Sequence, residues 1–238
     1  MKTAICFTGT GRSLKYTSDN IKKFLIDSHQ NCDVFAHTTI TNYQNDVETF
    51  FSDLNTKYFC IEDDEEIDIE NLKWQQNWPE GPYSGDRPKQ TYLNMLLSRK
   101  KCGEALQKYS IENDTKYDKV IFSRLDVKYY TRIPQNLNLD NVNVPDFHNF
   151  DIVQGAGCND RFAISNFNNM LKYYSLFDRI GEYSLAGGRL HAESTLRWHL
   201  DSSNLKIKKN FIRFGRVRPN GKEIDLRLNI RALEWRDQ

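Results

Sequence analysis

No run in this 238-residue sequence approaches the roughly 20 apolar residues that cross a bilayer, so no membrane-spanning helix is expected. Neither sign of charge dominates: 33 Lys and Arg stand against 32 Asp and Glu, a formal net charge of +1. That excludes a strong field toward nucleic acid or anionic lipid. Cysteine is sparse and scattered, at Cys6, Cys32, Cys60, Cys102 and Cys158, odd in number and without a CxxC pair. This argues against a zinc site or a disulfide framework and for a reducing, cytoplasmic setting. The opening MKTAICFTG has one Lys and a short apolar stretch that soon meets glycine and polar residues. It reads as a first strand, not a signal peptide. With no internal repeat and no low-complexity linker, a single domain over 1–238 is expected.

What is present is an α/β rhythm. Thr3 to Thr8 reads as a strand, Leu14 to Ser28 as a helix, Asp33 to Thr38 as a strand, Asp46 to Leu54 as a short helix and Lys57 to Ile61 as a third strand. Such alternation predicts a mostly parallel central sheet flanked by helices. Glu62 to Lys89 interrupts it with an acidic run, prolines at 79, 82 and 88, and Trp74, Trp78 and Tyr83. A connection this long is expected to be a functional loop, mobile until ligand binds, whose aromatics either stack on a ring or anchor the loop. Gln90 to Tyr109 returns as an amphipathic helix. Beyond Tyr130 the expected elements are a strand at Arg161 to Ser165, helices at Asn168 to Ile180 and Ala192 to Ser202, and a strand-like stretch from Lys206 to Val217.

The segment YDKVIFSRLDVKYY, Tyr117 to Tyr130, carries the most information. Lys119 to Ser123 has the β-formers of a central strand. It breaks into Arg124-Leu125-Asp126, a cation and an anion spaced to point the same way from an extended backbone. A carboxylate at the carboxyl end of a buried strand is how open α/β sheets build sites, and one such acid suits a divalent cation held against a diphosphate. A solvated Arg–Asp pair is the alternative reading.

Other residues can join that edge. Gly9-Thr10-Gly11-Arg12 follows the first strand. Its glycines can bring backbone N–H groups to a phosphate, and Arg12 can pair with phosphate oxygens, although the turn is not GxGxxG and a plain tight turn is equally served. His37 ends the second strand on the same edge, as a site residue or a structural one. Glu62 to Glu66 reads as a hydrated acidic patch. Asp160 leads a strand from a glycine-containing approach, while His191 and Glu193 open the helix AESTLRWHL. Glu193 can also be a first-turn acid favoured by the helix dipole. His199, in mid-helix, reads as packing.

In order along the chain, AICFTGTGR, CDVFAHT, QTYLNMLLSRKKCGEAL, YDKVIFSRLDV, DRFAISN and HAESTLRWHL resemble segments of a diffuse group of proteins assigned as glycosyltransferases. These are encoded in bacterial capsule and lipopolysaccharide loci and in large DNA viruses, and are ascribed a GT-A-type fold. The resemblance implies a GT-A-like domain, with 1–130 as a nucleotide-sugar half and 131–238 as an acceptor half. Its activity would be that of a hexosyl- or pentosyltransferase of polysaccharide biosynthesis, moving sugar from a nucleoside-diphosphate sugar to a glycan or glycoprotein acceptor. Gly9, Thr10, Gly11, Arg12, His37, Arg124 and Asp126 would bind donor, and Asp160 and Glu193 would be candidate bases. Asp126 and His191 would hold Mn2+ or Mg2+. Arg124 stands where the family's acid pair has its first Asp, so the chain departs from that pattern and Arg124 can itself neutralise diphosphate charge. Sugar-phosphate nucleotidyl transfer, or a non-catalytic nucleotide-sugar or glycan-binding module, are the competing classes.

Overall fold

The first four strands are β1 (Thr3–Thr8), β2 (Asp33–Thr39), β3 (Thr56–Glu62) and β4 (Lys119–Arg124), all mutually parallel. The computed structural model describes residues 1–40, 42–68, 70, 72, 86–149 and 157–224. β1 is buried along its whole length and β4 nearly so, which is why both read as continuous apolar runs rather than as alternation. Their side chains still obey the period of two. Ala4 and Cys6 join Val120 and Phe122 in one core, while Ile5 and Phe7 join Ile121 in the other.

After the short strand β5 (Val127–Tyr129), the sheet is completed by β6 (Val142–Pro145), β7 (Phe162–Ser165) and β8 (Ile207–Asn210). The seven strands lie in the order β3-β2-β1-β4-β7-β6-β8. β7 runs antiparallel to both neighbours and the other pairs are parallel, so the sheet is mostly parallel, as expected. β5 leaves it to pair with β9 (Phe214–Val217), which pairs in turn with β10 (Glu223–Ile224), forming a small antiparallel sheet.

One face of the main sheet is covered by α1 (Leu14–Ile21), its continuation as a π-helical turn at Lys22–Ile26, α2 (Gln44–Ser52) and the small sheet. The other carries α3 (Asp86–Glu112), α4 (Phe167–Tyr174), α5 (Ile180–Leu185) and α6 (Ala192–Ser202). Each large side chain fully buried in these layers contributes roughly 1.5–3 kcal/mol, so the sheet edge is a rigid platform for whatever stands on it.

Most expected elements form, with two revisions. Lys206 to Val217 is not one strand: β8 and β9 belong to different sheets, separated at Phe211–Arg213. Arg213 pairs there with Asp146, just past the end of β6, and lies over the ring of Phe211. Asn168 to Ile180 is a helix, a 3-10 turn and a further short helix, not one rod. His199 packs as expected, fully buried, with Nε2 bonded to the Lys172 carbonyl at 2.7 Å. The Trp74, Trp78 and Tyr83 expectations, and most of the loop they belong to, lie outside the described residues.

Candidate functional site

β2 and β4 leave β1 on opposite sides, so the carboxyl ends of β1 and β4 flank a topological switch point. A cleft of about 510 Å³ opens there. Gly9 takes a φ of +100°, a region open to glycine, and so turns the chain out of β1 to bring Thr10 and Arg12 to the cleft wall. Gly11 points elsewhere: a Cβ added to it would lie 2.0 Å from Val47 Cγ2, so its role is close packing on α2.

Arg124 and Asp126 enter from β4. The backbone between them is a turn, not the extended strand expected, yet the side chains meet in two hydrogen bonds: Arg124 Nε to Asp126 Oδ1 at 2.8 Å and Nη2 to Oδ2 at 2.6 Å. Burial opposes charge on Asp126, but Arg124, with help from Arg12 and Arg161, outweighs it and holds the carboxyl below its usual range. A clamp fixes this edge. Val217 donates its N–H to the Asp126 carbonyl at 2.8 Å and accepts from Ser13 Oγ at 2.5 Å, while Thr17 Oγ1 donates to the Leu125 carbonyl at 2.8 Å.

The opposite wall comes from the second half of the chain. The Arg124 N–H bonds the Arg161 carbonyl at 3.2 Å, and the Cys158 N–H bonds the Glu193 carbonyl at 2.9 Å, which draws the β7 approach between β4 and α6. Arg161 reaches Glu193 Oε1 at 3.2 Å and lies 3.9 Å from Asp160 Oδ1. His191 caps α6, its Nδ1 accepting from the Ser194 N–H, so its Nε2–H faces Glu193 Oε2 at 3.5 Å. Asp160 and Glu193 are only 3% and 5% exposed. Burial raises Asp160, but Arg161, Arg124 and Arg99 more than offset this and keep it below the normal carboxylate range. Burial, then the charge of Asp160, pushes Glu193 up to about 7. Two neighbouring acids are thereby set apart, one held ionised and one near neutrality.

His37 does not reach the cleft. It lies buried, with Nδ1 3.0 Å from Ser98 Oγ and Nε2 2.8 Å from Glu62 Oε1. Nor is the acidic run a plain hydrated patch: Glu62 and Glu65 share Lys101, and Asp64 lines the cleft.

Comparison with known proteins adds a family. The family described as Domain of unknown function (DUF7796) matches residues 1–219. The chain belongs to this family. A crystal structure of an active-site mutant of LgtC aligns with a TM-score of 0.49 and 12% identity, covering 86% of this chain and 72% of that one. No curated protein matches.

Within this member of the family, the metal expected at Asp126 and His191 does not fit the residues present. Both Asp126 oxygens accept from Arg124, and the ring nitrogens of His191 face Ser194 and Glu193. Among the described residues the ligand atoms that converge within 4.8 Å are those of His37, Cys60 and Glu62. A thiol and an imidazole are a soft set for Mn2+ or Mg2+, and the Lys101 ammonium already occupies Glu62. Three side chains of the cleft region were not read from sequence: Arg161, Arg218 on the cleft wall, and Arg99, which lies fully buried beneath it with Nη2 2.9 Å from the Asp160 carbonyl. Arg99 carried one usable signal, a cation in mid-helix on a face otherwise apolar.

Proposed function

We propose that this chain is a single GT-A-like domain that transfers a sugar from a nucleoside-diphosphate sugar to a hydroxyl of a glycan or glycoprotein acceptor. The observation that carries this is Glu193: a buried carboxyl on the cleft wall, raised to about 7, across a switch-point cleft from a cluster of arginines. A base with that pKa takes a proton effectively near neutral pH. Its task is to remove the acceptor hydroxyl proton as the oxygen bonds the anomeric carbon. The bond from that carbon to the diphosphate breaks, and the diphosphate leaves with the electron pair, which implies inversion. Asp160 is assigned the role of setting Glu193 through its charge, and Arg124 that of stabilising the leaving group. The order of the family-like segments along the chain supports the same class, and the five free cysteines suit the cytoplasm. Among the described residues no helix is long and apolar enough to cross a membrane.

The test is a panel of nucleotide sugars with release of nucleoside diphosphate as readout. Slow donor hydrolysis that Glu193→Gln lowers by about 10²- to 10⁴-fold supports transfer. Pyrophosphate release would assign a nucleotidyltransferase, and binding without turnover a non-catalytic module.

A further inference from the structure

The cleft holds more positive charge than its internal ion pairs use. Arg124 is already paired with Asp126, and Arg161 with Asp160 and Glu193. Arg12 and Arg218 also line the cleft; among the described residues neither side chain makes a hydrogen bond or ion pair, and Arg12 acts on Asp126 only through its field. Both are half-buried rather than splayed into solvent. The remaining acid there, Asp64, is pushed toward its neutral form by burial and by Asp63.

The backbones that carry these two guanidinium groups are locked together. Ser13, next to Arg12, donates to the carbonyl of Val217, next to Arg218, at 2.5 Å. The N–H of that same Val217 binds Asp126. Arg218 opens a closed turn: its N–H bonds the Lys222 carbonyl at 2.9 Å and its carbonyl accepts from the Gly221 N–H at 2.9 Å. Gly221 takes a φ of +80°, which favours glycine, and lies close against the ring of Tyr16 on α1. Two unpaired guanidinium groups, presented from a braced edge beside a carboxylate already neutralised, make a site for an anion with two charged centres.

We propose that Arg12 and Arg218 together grip the diphosphate of the substrate, and that binding needs no divalent cation. This rests on the reading of the substrate as a nucleoside-diphosphate sugar and departs from it in removing the metal. Asp126 then serves as the anchor of Arg124 rather than as a ligand.

Inorganic pyrophosphate, which carries the diphosphate and no base, is the probe. Calorimetry on the full chain should show binding in EDTA within a few-fold of that in Mg2+. Arg12→Gln and Arg218→Gln should each weaken it by about tenfold to a hundredfold, with thermal melting confirming that both variants fold. Lys222→Gln, an exposed cation on the same turn, should leave it unchanged. Absent binding, binding that requires Mg2+, or indifference to both arginine substitutions would overturn the proposal. The two readings also fail separately. Turnover of a nucleotide sugar that stops in EDTA removes the arginine grip and keeps the transferase. Pyrophosphate binding as expected, with no nucleotide sugar turned over, keeps the grip and removes the transferase.

Discussion

Arg124 and Asp126, two residues apart, face each other fork to carboxylate, with Nε–Oδ1 at 2.8 Å and Nη2–Oδ2 at 2.6 Å. This pairing decides what the strongest sequence signal in the chain means. A carboxylate whose two oxygens already accept charge-assisted hydrogen bonds is satisfied. It orients the Arg124 guanidinium at the end of β4, so the strand end presents a neutralised pair and not an open acid.

Breaking the pair should therefore cost more in stability than an exposed ion pair would. Asp126→Ala leaves Arg124 half-buried and unmatched, a loss of about 1–3 kcal/mol, readable by urea denaturation. Asp126→Asn keeps the shape and should lose less stability while lowering transfer by on the order of 10²-fold. In a double-mutant cycle with Arg124→Gln, a coupling energy near zero would show that the two do not act as a unit.

Glu193 ties pH to both activity and stability. Its folded pKa of about 7 lies above its ordinary 4.5, so the proton it holds stabilises the fold fully below pH 4.5. That stabilisation is lost as pH rises toward 7 and is gone above it. Relative to Glu193→Gln, the wild type should lose on the order of 3 kcal/mol between pH 4 and 8. Catalysis runs the other way, because the base works deprotonated: kcat/KM should climb about tenfold per pH unit and level off above 7. An activity limb near 4.5 instead would mean that Glu193 is not the base.

Much of this was legible in sequence for a physical reason. β1 and β4 are buried on both faces, so their apolar runs announce them, and strand ends mark the cleft edge whatever the side chains do there. Strand ends put Gly9, Thr10, Arg12, Arg124 and Asp126 at one edge, while Asp160, His191 and Glu193 came from the family resemblance as residues that could meet it from the second half of the chain; all eight line the cleft. Arg218 was hidden because it reaches the cleft through β9, a strand that pairs with β5 across almost 90 residues of chain, and no local pattern encodes such a pairing. His37 misled because a strand end fixes position along the sheet but not the face a side chain takes. Gly11 misled because a glycine needed for packing and one needed for phosphate read alike.

Gly11 gives a test of the platform that is separate from charge. Adding a methyl there, as Gly11→Ala, drives Cβ to within 2.0 Å of Val47 Cγ2. Overpacking of this kind costs about 1–3 kcal/mol. The turn carrying Arg12 should shift with it, so thermal stability and pyrophosphate affinity should fall together. Val47→Ala removes the opposing methyl groups, and the double variant should regain pyrophosphate affinity over Gly11→Ala alone. No regain would place the fault in the turn's backbone, not in its contact with α2.

Arg99 makes the sharpest test of how the two acids are set apart. It is fully buried, its guanidinium lies 4.6 Å from the Phe122 ring centre and 5.1 Å from that of Tyr173, and it donates to the Asp160 carbonyl. Its charge also helps hold Asp160 ionised. Arg99→Met keeps much of the volume and apolar contact but removes the cation, so Asp160 should take up a proton more readily. With Arg161 and Arg124 still beside it, Asp160 stays ionised where Glu193 titrates, so its repulsion of Glu193 persists while one nearby cation is gone, and the pKa of Glu193 should rise. The measurable consequence is an activity limb displaced to higher pH, together with a loss of stability from the freed Asp160 carbonyl of about 1–3 kcal/mol. Arg99→Lys separates the two effects. It keeps a charge without the planar group that stacks on both rings, so it should hold the limb near 7 while still losing stability. A limb that stays near 7 in Arg99→Met would show that the Arg99 charge does not reach Glu193, and that Arg99 acts on packing only.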